Sequence, residues 1–300
     1  MKKNIVVVLL CFTAFLQAKV YDCFPFFNEL ELLRLRFEEL YEVIDHFVIV
    51  ESPISFTGKN KPLYFQDNAG KFDKYKKKIV HLVINEFPNL TGNAEKDHWY
   101  RESYSRDEAL RALSDCASDD VIFISDVDEI PRAEAVVRTT QYLQQFRNFS
   151  RRDTRHINDS EIVCGMQMRL FMYSMNRENL MGWCGGSKAA PYWMVLKHKP
   201  WGIKIFHHQF AMHIIPNAGW HFNTMGGRDR SLYKWLLTGP IFYPGAEQNL
   251  LNLEKNPELL TKSYEGQVIA NTIRVPIDGT YPKYFLDNLE YFRELGWIEE

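Results

Sequence analysis

In DDVIFISDVDEIP, residues 119–131, four apolar residues run straight into three carboxylates: Val121 to Ile124, then Asp126, Asp128 and Glu129. The apolar run is long enough for a central strand, so 119–128 reads as a strand that leaves the core into polar residues. Pro131 suits the first turn of a helix, which the pattern carries to about Phe146. Carboxylates clustered at the end of a buried strand oppose stability, because like charges repel and desolvation is costly. A divalent cation resolves that repulsion. Hard oxygen ligands suit Mg2+ or Mn2+, which bridge carboxylates to substrate phosphates. An open α/β sheet binds ligands beyond the carboxyl ends of its strands, which is where these residues fall. Asp-x-Asp alone is a weak motif; its place after an apolar strand and before a proline gives it weight. The competing reading makes Asp128 or Glu129 a helix cap.

Outward from this strand the pattern repeats. Residues 20–26, 46–51 (HFVIVE) and 78–84 read as strands, while 99–113 and 282–295 read as helices. Leu30, Leu33, Phe37, Leu40, Tyr41 and Ile44 fall on one helical face, with Arg34, Arg36 and Glu38 outside it. Lysines of the 71–78 stretch read as a solvated helix face. Strands alternating with amphipathic helices predict an α/β fold: a mostly parallel sheet with helices on both faces, in one domain. Beyond a polar stretch at 148–159, residues 162–175 and 192–215 look strand-like and aromatic.

Composition narrows the function. The 300 residues are 46% hydrophobic and 25% charged, with 36 basic against 38 acidic side chains and a formal charge of −2. No basic field advertises nucleic-acid binding, and the aromatic fraction of 14% suits an aromatic-lined cleft as well as a core. Lys2 and Lys3 precede an apolar run over 5–15 that ends near Ala18. This is the pattern of a secretory signal, too short to span a bilayer as a helix. The expectation is a signal peptide over 1–18 and one domain over 19–300, exported or lumenal; an uncleaved N-terminal anchor is the alternative, and the only route to a membrane. Cys23, Cys116, Cys164 and Cys184 permit two disulfides or buried free thiols, and no Cys-x-x-Cys pair suggests zinc. Sequons begin at Asn89, Asn148 and Asn158.

The blocks VYDCFPFFNELELLRLRFEEL, FVIVESPISFTGKNKPLYF, RESYSRDEALRAL, ISDVDEIP and AGWHF, in that order over 20–234, resemble glycosyltransferase family 17. The resemblance implies a GT-A-like, Rossmann-like domain that uses Mn2+ or Mg2+ and a UDP-sugar. It implies an inverting transfer of GlcNAc from UDP-GlcNAc to a glycan or glycoprotein acceptor, such as the β-mannose of an N-glycan core. It also implies that a late histidine completes the metal shell with Asp126 and Asp128; His221, between Trp220 and Phe222, is the candidate.

The residues supply further expectations. Glu51 ends a strand beside a loop bearing Pro53 and Gly58, a place to meet a nucleotide or a solvated strand end. Arg106 suits a phosphate as a planar fork and Asp107 suits ribose or base, unless Arg101, Glu102, Arg106 and Asp107 pair among themselves. Trp183, Trp193, Trp201 and Trp220 serve sugar stacking or, for most of them, the core. The general base should be a carboxylate not committed to metal. Asp229, after the Met225-Gly226-Gly227 turn, leads; Glu129 and Glu247 follow, and an N-cap is the competing role for Asp229. A binding protein that kept the GT-A-like fold and lost turnover is the alternative function.

Overall fold

The computed structural model describes residues 18–147, 159–180, 183–206, 212–226 and 272–300, together with Arg230, Lys234 and Leu237. Its first half alternates strand and helix: β1 (Val20–Pro25), α1 (Leu30–Leu40), β2 (His46–Glu51), α2 (Tyr64–Asn68), β3 (Ile79–Val83), α3 (Ala94–Asp107) and β4 (Val121–Ile124). A 3-10 segment, Ala69–Lys78, leads into β3, and its lysines are mostly solvent-facing around buried Phe72 and Tyr75. Next come β5 (Glu129–Pro131), α4 (Ala133–Leu143), α5 (Asp159–Ile162), β6 (Cys164–Met172), β7 (Arg177–Asn179) and β8 (Trp183–Pro191). The described chain ends with α6 (Tyr192–Lys204), β9 (His213–Asn223), β10 (Thr272–Arg274), α7 (Lys283–Asp287) and α8 (Leu289–Glu294).

The strands form a single sheet in the order β10-β7-β6-β8-β4-β1-β2-β3, with β9 pairing both β5 and β6. Strands β3, β2, β1 and β4 are all parallel, in the expected α/β manner. From β8 onward the sheet is mixed: β4–β8, β6–β8 and β6–β7 are antiparallel, whereas β6–β9 is parallel. Alternate side chains of the central strands feed two cores. Phe47, Ile49, Val121 and Phe123 meet Leu33 and Phe37 of α1 and Val136 of α4. Val48, Val50, Ile122 and Ile124 meet Trp193 and Met194 of α6 on the opposite face. Burial on both faces explains why these strands read as continuous apolar runs. Each buried Phe or Leu contributes about 1.5–3 kcal/mol. A third cluster joins Phe171, Trp220 and Phe222 to Phe285 and Phe292 of the C-terminal helices and to Trp297 beyond them.

Three local expectations are corrected. Pro131 closes the short strand β5, and helix α4 starts two residues later at Ala133. The strand-like 192–215 stretch begins as helix α6, kinked at Lys199, and reaches strand only at His213. Arg36 lies inside rather than outside α1's buried face. Of the two readings left open for the cysteines, free thiols hold for Cys23, Cys116 and Cys164. Residues 1–17 of the expected 1–18 signal segment, the sequons at Asn148 and Asn158, and the side chain of Cys184 lie outside the described residues, while Asn89 is exposed.

Candidate active site

Strands β1, β2 and β4 all end on one side of the sheet, and a cavity of about 320 Å3 opens there. The chain leaving β1 contributes Phe26, Phe27 and Glu29; that leaving β2 contributes Ser52, Ile54, Ser55, Phe56 and Lys61. The turn after β4 contributes Asp126, Val127, Asp128 and Glu129, while Glu102, Ser105 and Arg106 come from α3. His221 and Asn223 of β9 and Lys234 complete the wall. The lining combines aromatic and apolar residues with carboxylates, ammonium groups and a guanidinium. Such a mixture suits a ligand that carries both a flat ring and charged oxygens.

The acidic turn is built from its own backbone. Asp126 N–H donates to Glu129 Oε2 at 2.9 Å, and Glu129 N–H returns to the Asp126 carbonyl at 3.1 Å. Register between β5 and β9 then sets Glu129 opposite His221, while Phe222 N–H donates to the Asp128 carbonyl at 2.9 Å. These pairings bring His221 Nε2 to 3.5 Å from Asp128 Oδ1. The AGWHF block and the DVDEIP block therefore meet through a strand ladder.

Cations surround the carboxylates. Arg106 donates to Asp126 Oδ1 at 2.5 Å and to Glu102 Oε1 at 3.1 Å, and Lys204 lies 3.1 Å from Asp126 Oδ2. Lys204 also pairs with Glu129. Burial raises the affinity of Asp126 for its proton, but Arg106 and Lys204 outweigh it and hold the carboxyl well below the usual range. Lys234 bridges Glu29 Oε1 at 2.7 Å and Asp128 Oδ2 at 3.0 Å. Burial opposes ionisation of Asp128 too, and Lys234 with His221 reverses that, so Asp128 also stays ionised. Beneath the turn Lys188 is fully buried, and burial followed by Lys204 pushes its pKa down to about 8. Ser125 Oγ donates to Ser187 Oγ, which donates to the Glu129 carbonyl.

The structure brings Asp126, Asp128, Glu129, Arg106 and His221 to one cavity, and it gives two expected ligands other occupations. The Glu51 carboxylate is buried, accepts the Phe65 and Gln66 amides at the start of α2, and pairs with His81. It caps a helix instead of meeting a ligand. Asp107 accepts Trp201 N–H at 2.9 Å across the α3–α6 contact and is absent from the cavity wall. Glu129 belongs to a strand rather than a helix start, and with its carboxylate buried between Lys204 and the Asp126 amide it is poorly placed as a base. Asp229 and Glu247 lie outside the described residues. Trp193 and Trp220 are core residues.

Glu29, Lys204 and Lys234 were not selected from sequence. A helical reading of YWMVLKHKPWGIK would have put Lys204 at a helix C-terminus. Lys234 lies four residues after Arg230 and three before buried Leu237, all in helical conformation, a spacing legible as one face.

A fit to a divalent ion rests on the donor chemistry. Asp128 and His221 offer oxygen and nitrogen 3.5 Å apart on the cavity wall, with Asp126 beside them. Among the described residues no three His, Cys, Asp or Glu side chains are grouped to hold a metal by themselves. An ion here would take its remaining ligands from phosphate and water, as Mg2+ and Mn2+ ordinarily do.

A family model described as glycosyltransferase family 17 matches residues 12–224. The β-1,4-mannosyl-glycoprotein 4-β-N-acetylglucosaminyltransferases of Homo sapiens and Rattus norvegicus are each 32% identical over 116 residues, 37% of this chain and 21% of theirs. The matched segment is thus a minor part of those relatives. Among solved structures, glucosyl-3-phosphoglycerate synthase from Mycobacterium tuberculosis, in complex with Mn2+, UDP and phosphoglyceric acid, is 12% identical. That match covers 69% of each chain with a TM-score of 0.33. A mycobacterial protein is 14% identical at a TM-score of 0.35, covering 69% of this chain and 66% of its own.

Proposed function

Given that the chain belongs to glycosyltransferase family 17, we propose that it transfers GlcNAc from UDP-GlcNAc, with inversion, to a glycan acceptor such as the β-mannose of an N-glycan core. One observation carries this reading. The acidic turn after β4, the late histidine and a set of cations share a single cavity at the carboxyl ends of the parallel strands.

Asp128 and His221 would hold Mn2+ or Mg2+, with Asp126 as the third candidate. When bound, the ion supplies positive charge to the departing diphosphate. Arg106 adds a planar guanidinium fork and Lys234 an ammonium on the same wall, both kept charged by their carboxylate neighbours. Preorganised charge of this kind acts most strongly where water is excluded. Phe26, Phe27 and Phe56 offer aromatic surface for the uracil end of the donor. Lys61, also in the cavity wall, stands over Phe27 and Tyr64 at 5.5 and 5.6 Å. The acceptor hydroxyl needs a carboxylate to take its proton as it attacks the anomeric carbon. Asp229 is our first candidate and Glu247 the second, because Glu129 is already bound by Lys204.

We place the protein in an exported or lumenal compartment, with residues 1–18 as the targeting segment. Among the described residues no helix is long and apolar enough to cross a membrane. The reading is tested by incubating the full chain with UDP-GlcNAc, Mn2+ and an N-glycan core acceptor. UDP release that depends on acceptor, with a product one GlcNAc heavier, supports it. Binding of UDP-GlcNAc without turnover on any acceptor would favour a carbohydrate-binding protein that retains the fold.

A further inference from the structure

Arg36 is one of three charged residues that the helical pattern of α1 places outside, and the structure buries it completely. Its partner Asp22, on β1, is buried as fully. Nε and Nη2 donate to Asp22 Oδ2 and Oδ1, each at 2.6 Å, forming a bidentate fork. A lone buried ion pair adds little to stability, since its desolvation cost offsets its attraction. What sets this pair apart is the remaining nitrogen. Nη1 donates to the carbonyls of Asp126 at 3.0 Å, Glu129 at 2.7 Å and, more weakly, Val127 at 3.4 Å.

Three of the four carbonyls of the acidic turn thus point inward at one guanidinium. The fourth, that of Asp128, accepts Phe222 N–H from β9. With its carbonyls held from beneath, the turn keeps Asp126 and Asp128 on the cavity side. We propose that Arg36, aimed by Asp22, is the positioning residue of the acidic turn and thereby sets the affinity of the cavity for a metal-bound nucleoside diphosphate. It touches no ligand itself; it acts through the backbone of 126–129. The affinity part rests on the reading of this cavity as the donor site, whereas the effect on the turn does not.

The test uses two variants. Arg36→Lys keeps a positive charge beside Asp22 but cannot hold the fork and the turn carbonyls together. Asp22→Leu with Arg36→Met replaces the whole pair by apolar groups, a change that buried ion pairs often tolerate in stability. Far-UV dichroism and melting establish folding. Residue-resolved amide exchange then reports on 125–130, with β2 as internal reference, and calorimetry measures UDP binding in the presence of Mn2+.

Both variants are expected to fold, to lose protection at 125–130 by about tenfold while β2 is unchanged, and to bind UDP with Mn2+ about 10- to 100-fold more weakly. A merely structural pair would shift the melting temperature and leave exchange in the turn and affinity per folded molecule alone. Folded variants with wild-type exchange at 125–130 overturn the proposal. So does failure of both variants to fold, which would make the pair a requirement of the fold. If the wild type binds no UDP with Mn2+ while the variants still loosen the turn, the functional reading fails and the positioning role stands.

Discussion

Gly219 offers a sharp test of how the two halves of the site are joined. It lies in β9 opposite Pro131 of β5, two positions before His221. A methyl group there would stand 2.1 Å from the Ile130 carbonyl oxygen and 2.8 Å from Pro131 Cα, where contacts under 3.0 Å are essentially never found. Both obstacles are backbone, so no side chain can swing aside. Strand β5 would have to withdraw by about 0.9 Å, the difference between 3.0 and 2.1 Å. That movement is transmitted along the ladder to the Glu129–His221 pair and to the bond from Phe222 to Asp128. Overpacking of this kind costs about 1–3 kcal/mol, and a misplacement approaching 1 Å costs turnover about 100-fold. Gly219→Ala should therefore melt several degrees lower and, at a temperature where it is folded, bind UDP with Mn2+ more weakly. Gly279→Ala, which meets nothing within 4 Å, is the control and should change neither. A Gly219→Ala protein with wild-type melting and wild-type affinity would refute the claim that the β5–β9 ladder holds the site together.

Other outcomes follow from the same geometry. His221→Ala should weaken Mn2+ affinity by about 10- to 100-fold; an unaltered Mn2+ titration would return His221 to a structural role. Asp229→Asn should spare UDP-GlcNAc affinity and lower kcat by about 100- to 10,000-fold, whereas near-wild-type kcat would move the base to Glu247. His98 is buried, and burial followed by Arg101 pushes its pKa down to about 4 from 6.5. The unfolded chain therefore binds the extra proton first, and stability should fall by about 3 kcal/mol as pH drops from 6.5 toward 4. His98→Phe should flatten that acid limb of a denaturation series, and an unchanged slope would remove His98 as its source.

How far the sequence could be read depended on where each residue's partners lie. HFVIVE was legible as β2 to the residue, because a strand buried on both faces needs a continuous apolar run. The acidic turn was legible for the complementary reason, since its three carboxylates are adjacent in the chain. Arg36 was misread because helical periodicity sends charge outward, and its partners on β1 and in the turn lie 14 and about 90 positions away. Glu51 stands at the correct end of its strand, yet its carboxylate turns to the amides of α2, a choice that strand periodicity does not encode. Helix α6 was hidden by aromatic and β-branched residues that also suit strands, and by the Lys199 kink that divides its periodicity. With it went Lys204, which pairs with both Asp126 and the buried Glu129.

The central claim is that the acidic turn and His221 form a metal-dependent site for a UDP-sugar. Calorimetric titration of UDP into the wild type and into Asp128→Ala, each with and without Mn2+, tests it most directly. The account predicts binding by the wild type that strengthens markedly with Mn2+, and no Mn2+-dependent binding by a folded Asp128→Ala protein. Equal affinity with and without Mn2+ in the wild type, or an Mn2+ effect that survives in Asp128→Ala, would contradict it.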